Sequence, residues 1–491
     1  MLCVGILSCL LAIPLQVSAA DFELVIENGR VVDPASGLEA IRNVGVNGGR
    51  IAVISKKSLI GDKTIDAKGL VVAPGFIDLH SHAQNIFGQT YQVMDGVTTA
   101  LELEAGTQLA PFLEILAQRQ GKSLINYGYS AGYRDIRFMV KVGTRFQTSI
   151  PGFRRANHET ATPEELARMI SMTETELNEG ALGIGIPLDY MSRGMNGAEV
   201  ESLFRLAAKR KVPLFIHMRM ADDAMDPVGL VELIAMTRKT GASLHVVHIG
   251  STGLGRVPLY LKMISEANAE GLDITTEVYP YTAASASLNS GIFDHDWKRK
   301  WGISYEDVEW PPTGERFSGA QMWNDYRARY PDGIVILHAI KEEWVQAALK
   351  YPGVIVASDA MRLKSLKHRQ HPRGMGTYSR VLGHYVRDKG VISLADAIAK
   401  ISYLPAKRLE DFAPAFKRKG RLSPGADADI TIFDPDTVID RATFDQPNQY
   451  AKGIIHVIVG GEVVVRDSVL QNDIFPGQPI TTKTGSLEAS D

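Results

Sequence analysis

Between residues 75 and 360 short apolar, β-branched runs alternate with helix-like segments, and this alternation constrains the fold more than any other feature of the chain. The strand-like runs are GFIDLHSH (75–82), TTALELE (98–104), SLINYGYS (123–130), ALGIGIPLDY (181–190), VPLFIHM (212–218), SLHVVHI (243–249), DITTEVYPY (273–281) and VIVASDA (354–360). Stretches such as PEELARMISMTETELNEG and GAEVESLFRLAAKRK separate them with helical periodicity. Such alternation signals a parallel α/β architecture. Eight strands fit a (β/α)8 TIM barrel, which gathers its site residues at the C-terminal strand ends. A doubly wound open sheet is the competing topology, and periodicity does not choose between them.

The two ends read differently. Residues 21–73 carry β-type runs broken by turns (FELVIENG, RVVDPASG, VGVNGGRIAVI, KGLVVAPG). ADADITIFDP and GIIHVIVGGEVVV repeat that style late in the chain, with Gly460-Gly461 as a hairpin turn. The expected organisation is a small β-sandwich domain from 21–73 plus 410–474, and a barrel over 74–409. That barrel is expected to carry an insertion, rich in Trp, Asp and Pro, at about 284–335. A barrel with a satellite domain absorbs all 491 residues. The polar tail after about residue 474 is expected to fray.

The first twenty residues, MLCVGILSCLLAIPLQVSAA, form an apolar run ending in Val17-Ser18-Ala19, the small-residue pattern of a signal peptide cut near Ala19 or Ala20. A retained anchor is the alternative, although the apolar core is short for a membrane span. Both cysteines, Cys3 and Cys9, lie in this segment. The processed chain then has no thiol, which excludes disulfides, cysteine nucleophiles and cysteine metal ligands. The expected location is periplasmic or secreted. A formal charge of −3 and the lack of a Lys/Arg block exclude a polyanion partner and, after cleavage, a membrane surface. The expected partner is a small molecule, and a homo-oligomer stays open.

Of twelve histidines, His158, His295, His368, His384 and His456 have no context suggesting chemistry. Four others end apolar strands. His80 and His82 close GFIDLHSH two apart, so their rings face one way. His217 closes VPLFIH, His248 closes LHVVH, and Asp359 closes VIVASD. A barrel brings these ends around one mouth, and imidazoles plus carboxylate make a zinc-type ligand set. His245, three residues before His248, points to the opposite face and is expected outside the site. His338 stays ambiguous. In GVTTALELEAG, Glu102 and Glu104 share one face of a buried strand, a costly arrangement unless the carboxylates are paired or bind metal.

APGFIDLHSHAQN, the later histidines and aspartate, and the split sheet resemble the amidohydrolase superfamily. GALGIGIPLDY, EVYPYTAASASL, ASDA and HPRGMGTYSRVLGHYVRDKGVISLADAIAKISYLPAKRL are similar to its D-aminoacylase (N-acyl-D-amino-acid deacylase) branch. The resemblance covers most of 21–470 and is weakest over 284–335. It implies a zinc enzyme with one or two ions and a water nucleophile. His80 and His82, with Asp359 near them, would hold one position, and His217 and His248 the other. Asp359 would be general base and acid. The family has a Cys-Gly where this chain has Ala105-Gly106, and no lysine stands at a strand end to bridge two metals. Glu104 is therefore the expected carboxylate ligand, a bridging one if two metals bind, and Glu102, a pleat deeper, its supporting partner.

By the same resemblance Arg373 in HPRGMG holds the substrate's α-carboxylate, a charge-assisted pair. Tyr190 and Tyr281 are candidate donors to the carbonyl or developing oxyanion. Gly250, followed by Ser251, stands where the family often shows a lysine. The expected activity is metal-dependent hydrolysis of the amide of N-acyl-(D-)amino acids. A dipeptidase or cyclic-amide (hydantoinase-like) hydrolase is the alternative, and a periplasmic binding protein on an inactive scaffold is the alternative from another class. No P-loop or H-E-x-x-H competes.

Overall fold

The computed structural model describes residues 21–107, 111–146, 153–220, 226–294 and 296–483. The expected signal peptide, both cysteines and His295 lie outside these residues. The fold is mixed α/β. Its centre is a set of parallel strands: β1 (Phe76–Asp78), β2 (Val97–Glu102), β3 (Asn126–Tyr129, resumed at Ala131–Gly132), β4 (Ile184–Pro187), β5 (Leu214–His217), β6 (Leu244–Val246), β7 (Ile274–Val278) and β8 (Val354–Val356). All eight strand-like runs of the sequence are present. β1, β2 and β3 pair in order, and β3 through β8 pair in order by way of Ala131–Gly132. Just past the strands Ser81 bridges Ala360, and His82 N donates to Ala360 O at 2.9 Å. Nearly every residue of these strands is buried, as continuous apolar runs between layers of helix require.

Local chemistry explains where the helices start and stop. Thr162 and Glu165 form a capping box ahead of Pro163–Glu179, Pro163 occupies the first helical position, and Gly180 ends the helix at φ 116°. Asn196 caps Gly197–Arg210 by accepting from Glu199 N.

A nine-stranded sheet joins the two ends of the chain. Val71–Pro74 pairs antiparallel with Ile430–Phe433, and the Gly460-Gly461 turn connects Ile454–Val459 to Glu462–Arg466 as expected. The insertion forms its own antiparallel sheet from Ala284–Ser287, Val308–Trp310, Glu315–Arg316 and Ile334–Leu337, extending to Leu337, two residues past the expected boundary. Its core is aromatic, with Phe293, Trp297 and Trp323 in mutual contact.

One expectation fails. Residues 477–482 are not frayed: Tyr127 N donates to Gln478 O, Ile480 N donates to Tyr127 O at 2.7 Å, and Ile480 is buried. The polar composition of the tail conceals one apolar anchor and a row of backbone bonds along β3.

Candidate metal centre

The site lies at the C-terminal ends of the parallel strands. Asp78, buried in β1, accepts from Ser358 N at 3.0 Å and His80 N at 3.1 Å, and Asp359 N donates to His80 O at 2.8 Å. The first and last strands are thus tied together beside the residues they present. His248 (φ 33°) and Asp359 (φ 50°) both adopt left-handed backbone, a strained state for non-glycine residues that the surrounding packing must enforce.

Two donor groups face each other, His80–His82–Asp359 and Glu104–His217–His248. Glu104 reaches both. Its Oε2 is 3.2 Å from His80 Nε2 and 3.3 Å from His82 Nε2, while Oε1 is 2.9 Å from His217 Nδ1 and 3.6 Å from His248 Nε2. Asp359 Oδ1 is 3.5 Å from His80 Nε2 and 3.3 Å from His82 Nε2. Zinc bonds of about 2.0–2.1 Å give tetrahedron edges of about 3.3 Å. Most of these spacings lie close to that edge, so the residues present fit zinc in both number and spacing.

Carboxylates behind the imidazoles fix which nitrogen faces inward. His80 Nδ1 is bonded to Glu277 Oε1 at 2.6 Å, and His82 Nδ1 to Glu102 Oε2, leaving both Nε2 atoms toward the site. Glu102 therefore supports His82 rather than Glu104, the partner expected from the sequence, and its other oxygen accepts from Ala105 N at 3.0 Å. Sequence reasoning missed Glu277. Its signal was an acid in the apolar part of DITTEVYPY, an oddity of the kind that singled out Glu102. His245 is outside the donor groups as expected, yet its Nε2 bonds Glu277 Oε2 at 3.0 Å and its Nδ1 bonds Thr275 Oγ1 at 2.7 Å.

Burial works against charge throughout the site, and the groups overcome it together. Burial would raise Glu104, but His80 and bonds from His217 and His248 hold it well below the ordinary carboxylate range. Burial is likewise outweighed at Glu277, held down to about 2 by His80 and His245. It also opposes charge on His80, where Asp359, Glu277 and Glu104 nonetheless push the pKa well above the usual value. Four carboxylates, Glu102, Glu104, Glu277 and Asp359, surround these histidines, so the site calls for cations.

A cavity of about 610 Å³ opens onto the site, the size of a small-molecule pocket. Glu104, His217, His248, Asp359, Tyr190 and Arg373 line it. Tyr190 sets its ring 4.8 Å from that of His217, and burial followed by the charges of Glu104 and Asp359 keeps its phenol protonated. Arg373 is 1% exposed, with Nη2 3.0 Å from Asp359 Oδ1 and its guanidinium 4.5 Å from the Tyr279 ring centroid. None of its three guanidinium nitrogens makes a well-formed hydrogen bond among the described residues.

Tyr281 needs correcting. It does not line the cavity; its hydroxyl donates to Asp440 Oδ2 at 3.2 Å and its ring lies beneath Arg380. Tyr279, just past β7 and two residues earlier, lines the cavity instead. His338, just past the insertion, bonds its Glu309 at 2.9 Å and stays outside the donor groups. Ala105 and Gly106 line the cavity beside Glu104.

The profile of the amidohydrolase family matches residues 63–139 and 343–465. The chain is 30% identical over 490 residues to N-acyl-D-glutamate deacylase of Alcaligenes xylosoxydans xylosoxydans, covering 95% of this chain and 96% of that one. It is similar to the crystal structure of N-acyl-D-glutamate deacylase from Bordetella bronchiseptica complexed with zinc and a phosphonate mimic of the tetrahedral intermediate. That match has a TM-score of 0.76 and 26% identity, over 94% of this chain and 99% of that one. A D-aminoacylase structure concerned with a binuclear metal centre, one-metal activation and second-metal attenuation matches with a TM-score of 0.78 and 25% identity, over 94% and 100%.

Proposed function

The chain belongs to the amidohydrolase family, in its D-aminoacylase branch, and on that premise we infer that it is a zinc-dependent hydrolase of N-acyl-D-amino acids, releasing a carboxylic acid and the free amino acid. The observation that carries this reading is Glu104, whose two oxygens each face one donor group beside a buried, under-bonded Arg373. In this reading His80, His82 and Asp359 hold one zinc position, His217 and His248 the other, and Glu104 joins them. Zinc supplies a Lewis acid that polarises the amide carbonyl and lowers the pKa of water.

The chain's own groups do the rest. Arg373 orients the substrate by pairing with its α-carboxylate. Tyr190, kept protonated, donates to the oxygen on which charge develops. The Asp359 carboxylate takes a proton from the attacking water and returns it to the leaving nitrogen as the C–N bond breaks.

The architecture goes with this reading. The parallel strands form a closed (β/α)8 barrel over 74–409, a topology supported by the Ser81–Ala360 bridge between its first and last strands. The nine-stranded sheet, from 21–73 and 410–474, is the small β-sandwich domain. Export rests on the apolar run before Val17-Ser18-Ala19. Amino-terminal sequencing of protein recovered outside the cytoplasm is expected to begin near Asp21, and a start at Met1 overturns it.

Activity is tested by incubating zinc-loaded protein with matched N-acetyl-D- and N-acetyl-L-amino acids. Release of D-amino acids is expected; none across a broad panel overturns the assignment.

A further inference from the structure

Arg373 is not the only under-bonded guanidinium facing the cavity. Arg134, in the helix Tyr133–Val142 that follows β3, also lines it. Its guanidinium stacks 3.3 Å from the Phe146 ring centroid and 5.2 Å from that of Tyr190. Among the described residues it has no carboxylate partner, and its buried Nε makes no hydrogen bond. Asp135 is committed to Arg145. Arg134 is half-buried, and burial depresses its pKa to about 10. Arg119, which also lines the cavity, has its Nη1 bonded to Gln84 and Tyr129.

Arg373 and Arg134 stand on different sides of the donor groups. Arg373 contacts Asp359, just past β8, whereas Arg134 reaches Tyr190, whose ring abuts His217. β8 and the Ala131–Gly132 segment are the two outer strands of the six-stranded sheet. In an N-acyl amino acid the scissile carbon has the nitrogen and α-carboxylate on one side and the acyl chain on the other. A substrate with its carboxylate on Arg373 and its carbonyl at the donor groups therefore directs its acyl chain past Tyr190 toward Arg134. Among the described residues, the insertion lines the cavity with small, apolar and acidic side chains, including Ala284, Ala286, Ile292, Trp301, Asp332 and Ile334, and with no cation.

We propose that Arg134 is a specificity residue that receives a second carboxylate, carried by the acyl group, so that the preferred substrates are N-acyl-D-amino acids bearing a short dicarboxylic acyl chain such as succinyl or glutaryl. This rests on the deacylase reading above. Hydrolysis adds the oxygen of water to the acyl carbon, breaks the C–N bond and protonates the amine, giving a dicarboxylate and a free D-amino acid.

The test compares N-acetyl, N-succinyl and N-glutaryl derivatives of one neutral D-amino acid, together with N-acetyl-D-glutamate, on the zinc-loaded full chain. A charge-assisted bond to a guanidinium predicts kcat/KM about tenfold to a hundredfold higher for the dicarboxylic acyl substrates than for N-acetyl. In Arg134→Gln that ratio should fall to about one. As a readout independent of turnover, glutarate should bind the wild-type chain about tenfold more tightly than butyrate, and Arg134→Gln should abolish that difference. If Arg134→Gln fails to fold, the wild-type ratios decide. Turnover of N-acetyl substrates with no dicarboxylic preference, or a preference confined to N-acetyl-D-glutamate, overturns this inference alone. No turnover of any member overturns the deacylase reading and this inference with it.

Discussion

Arg373 is buried with no well-formed hydrogen bond among the described residues, an arrangement that costs stability unless a ligand completes it. Its neighbour Asp359 offsets the charge without satisfying the donors. Arg373→Ala is expected to lower kcat/KM for N-acyl-D-amino acids by about 30- to 1000-fold, the range for truncating one partner of a buried charge pair. A variant within about twofold of wild type would remove Arg373 from carboxylate binding. Glu277 acts one bond further back, by holding His80 Nδ1. Glu277→Gln should weaken zinc affinity by about 10- to 100-fold, measured by chelator competition, and unchanged affinity would leave it a core residue only. The histidines, Asp359 and Glu104 could be read from the sequence because each ends an apolar strand. Glu277 could not be assigned, because a supporting acid is defined by its partner and His80 is nearly two hundred residues away in the chain. Tyr281 misled for a local reason: Pro280 redirects the chain between it and Tyr279, so being near a strand end does not say which ring faces the cavity.

At the scale of elements, the helix Arg373–Arg380 is broken at Gly376 (φ −157°, ψ 22°). A Cβ on Gly376 would lie 2.6 Å from the Cβ of Asp440, so close approach demands glycine. Past the break, Asp95 accepts from Tyr378 N and Ser379 N, at 2.8 and 2.9 Å. Burial nevertheless raises Asp95 to about 8, despite those bonds. Because its folded pKa lies above the unfolded value, the contribution of Asp95 is complete at low pH and lost as pH rises through about 8. The wild-type urea midpoint should therefore fall between pH 5 and 8.5 relative to Asp95→Asn, which lacks this titration. Parallel profiles for the two proteins would contradict the assignment. The strands and the long capped helices were legible because periodicity and caps are local. The break at Gly376 was not, since it answers to Asp95 and Asp440, which lie far away in the chain.

At the scale of the whole molecule, three distant parts complete the central set of strands: the late strand Ile430–Phe433 through the nine-stranded sheet, the insertion over the cavity, and residues 477–482 along β3. The last was unreadable from composition, since one buried isoleucine among polar residues is a weak pattern. Ile480→Ala should cost about 2–4 kcal/mol in urea unfolding, as for other buried isoleucines. No loss would mean that this segment does not anchor the chain. The parts converge on one claim, that the carboxylate of Glu104 unites two zinc positions at the strand ends. Anomalous diffraction at the zinc edge from crystals of the zinc-loaded chain tests it most directly. Two peaks are predicted, one among His80, His82 and Asp359 and the other beside His217 and His248, with one Glu104 oxygen toward each. Zinc bound at these histidines with Glu104 turned away from both positions would contradict it.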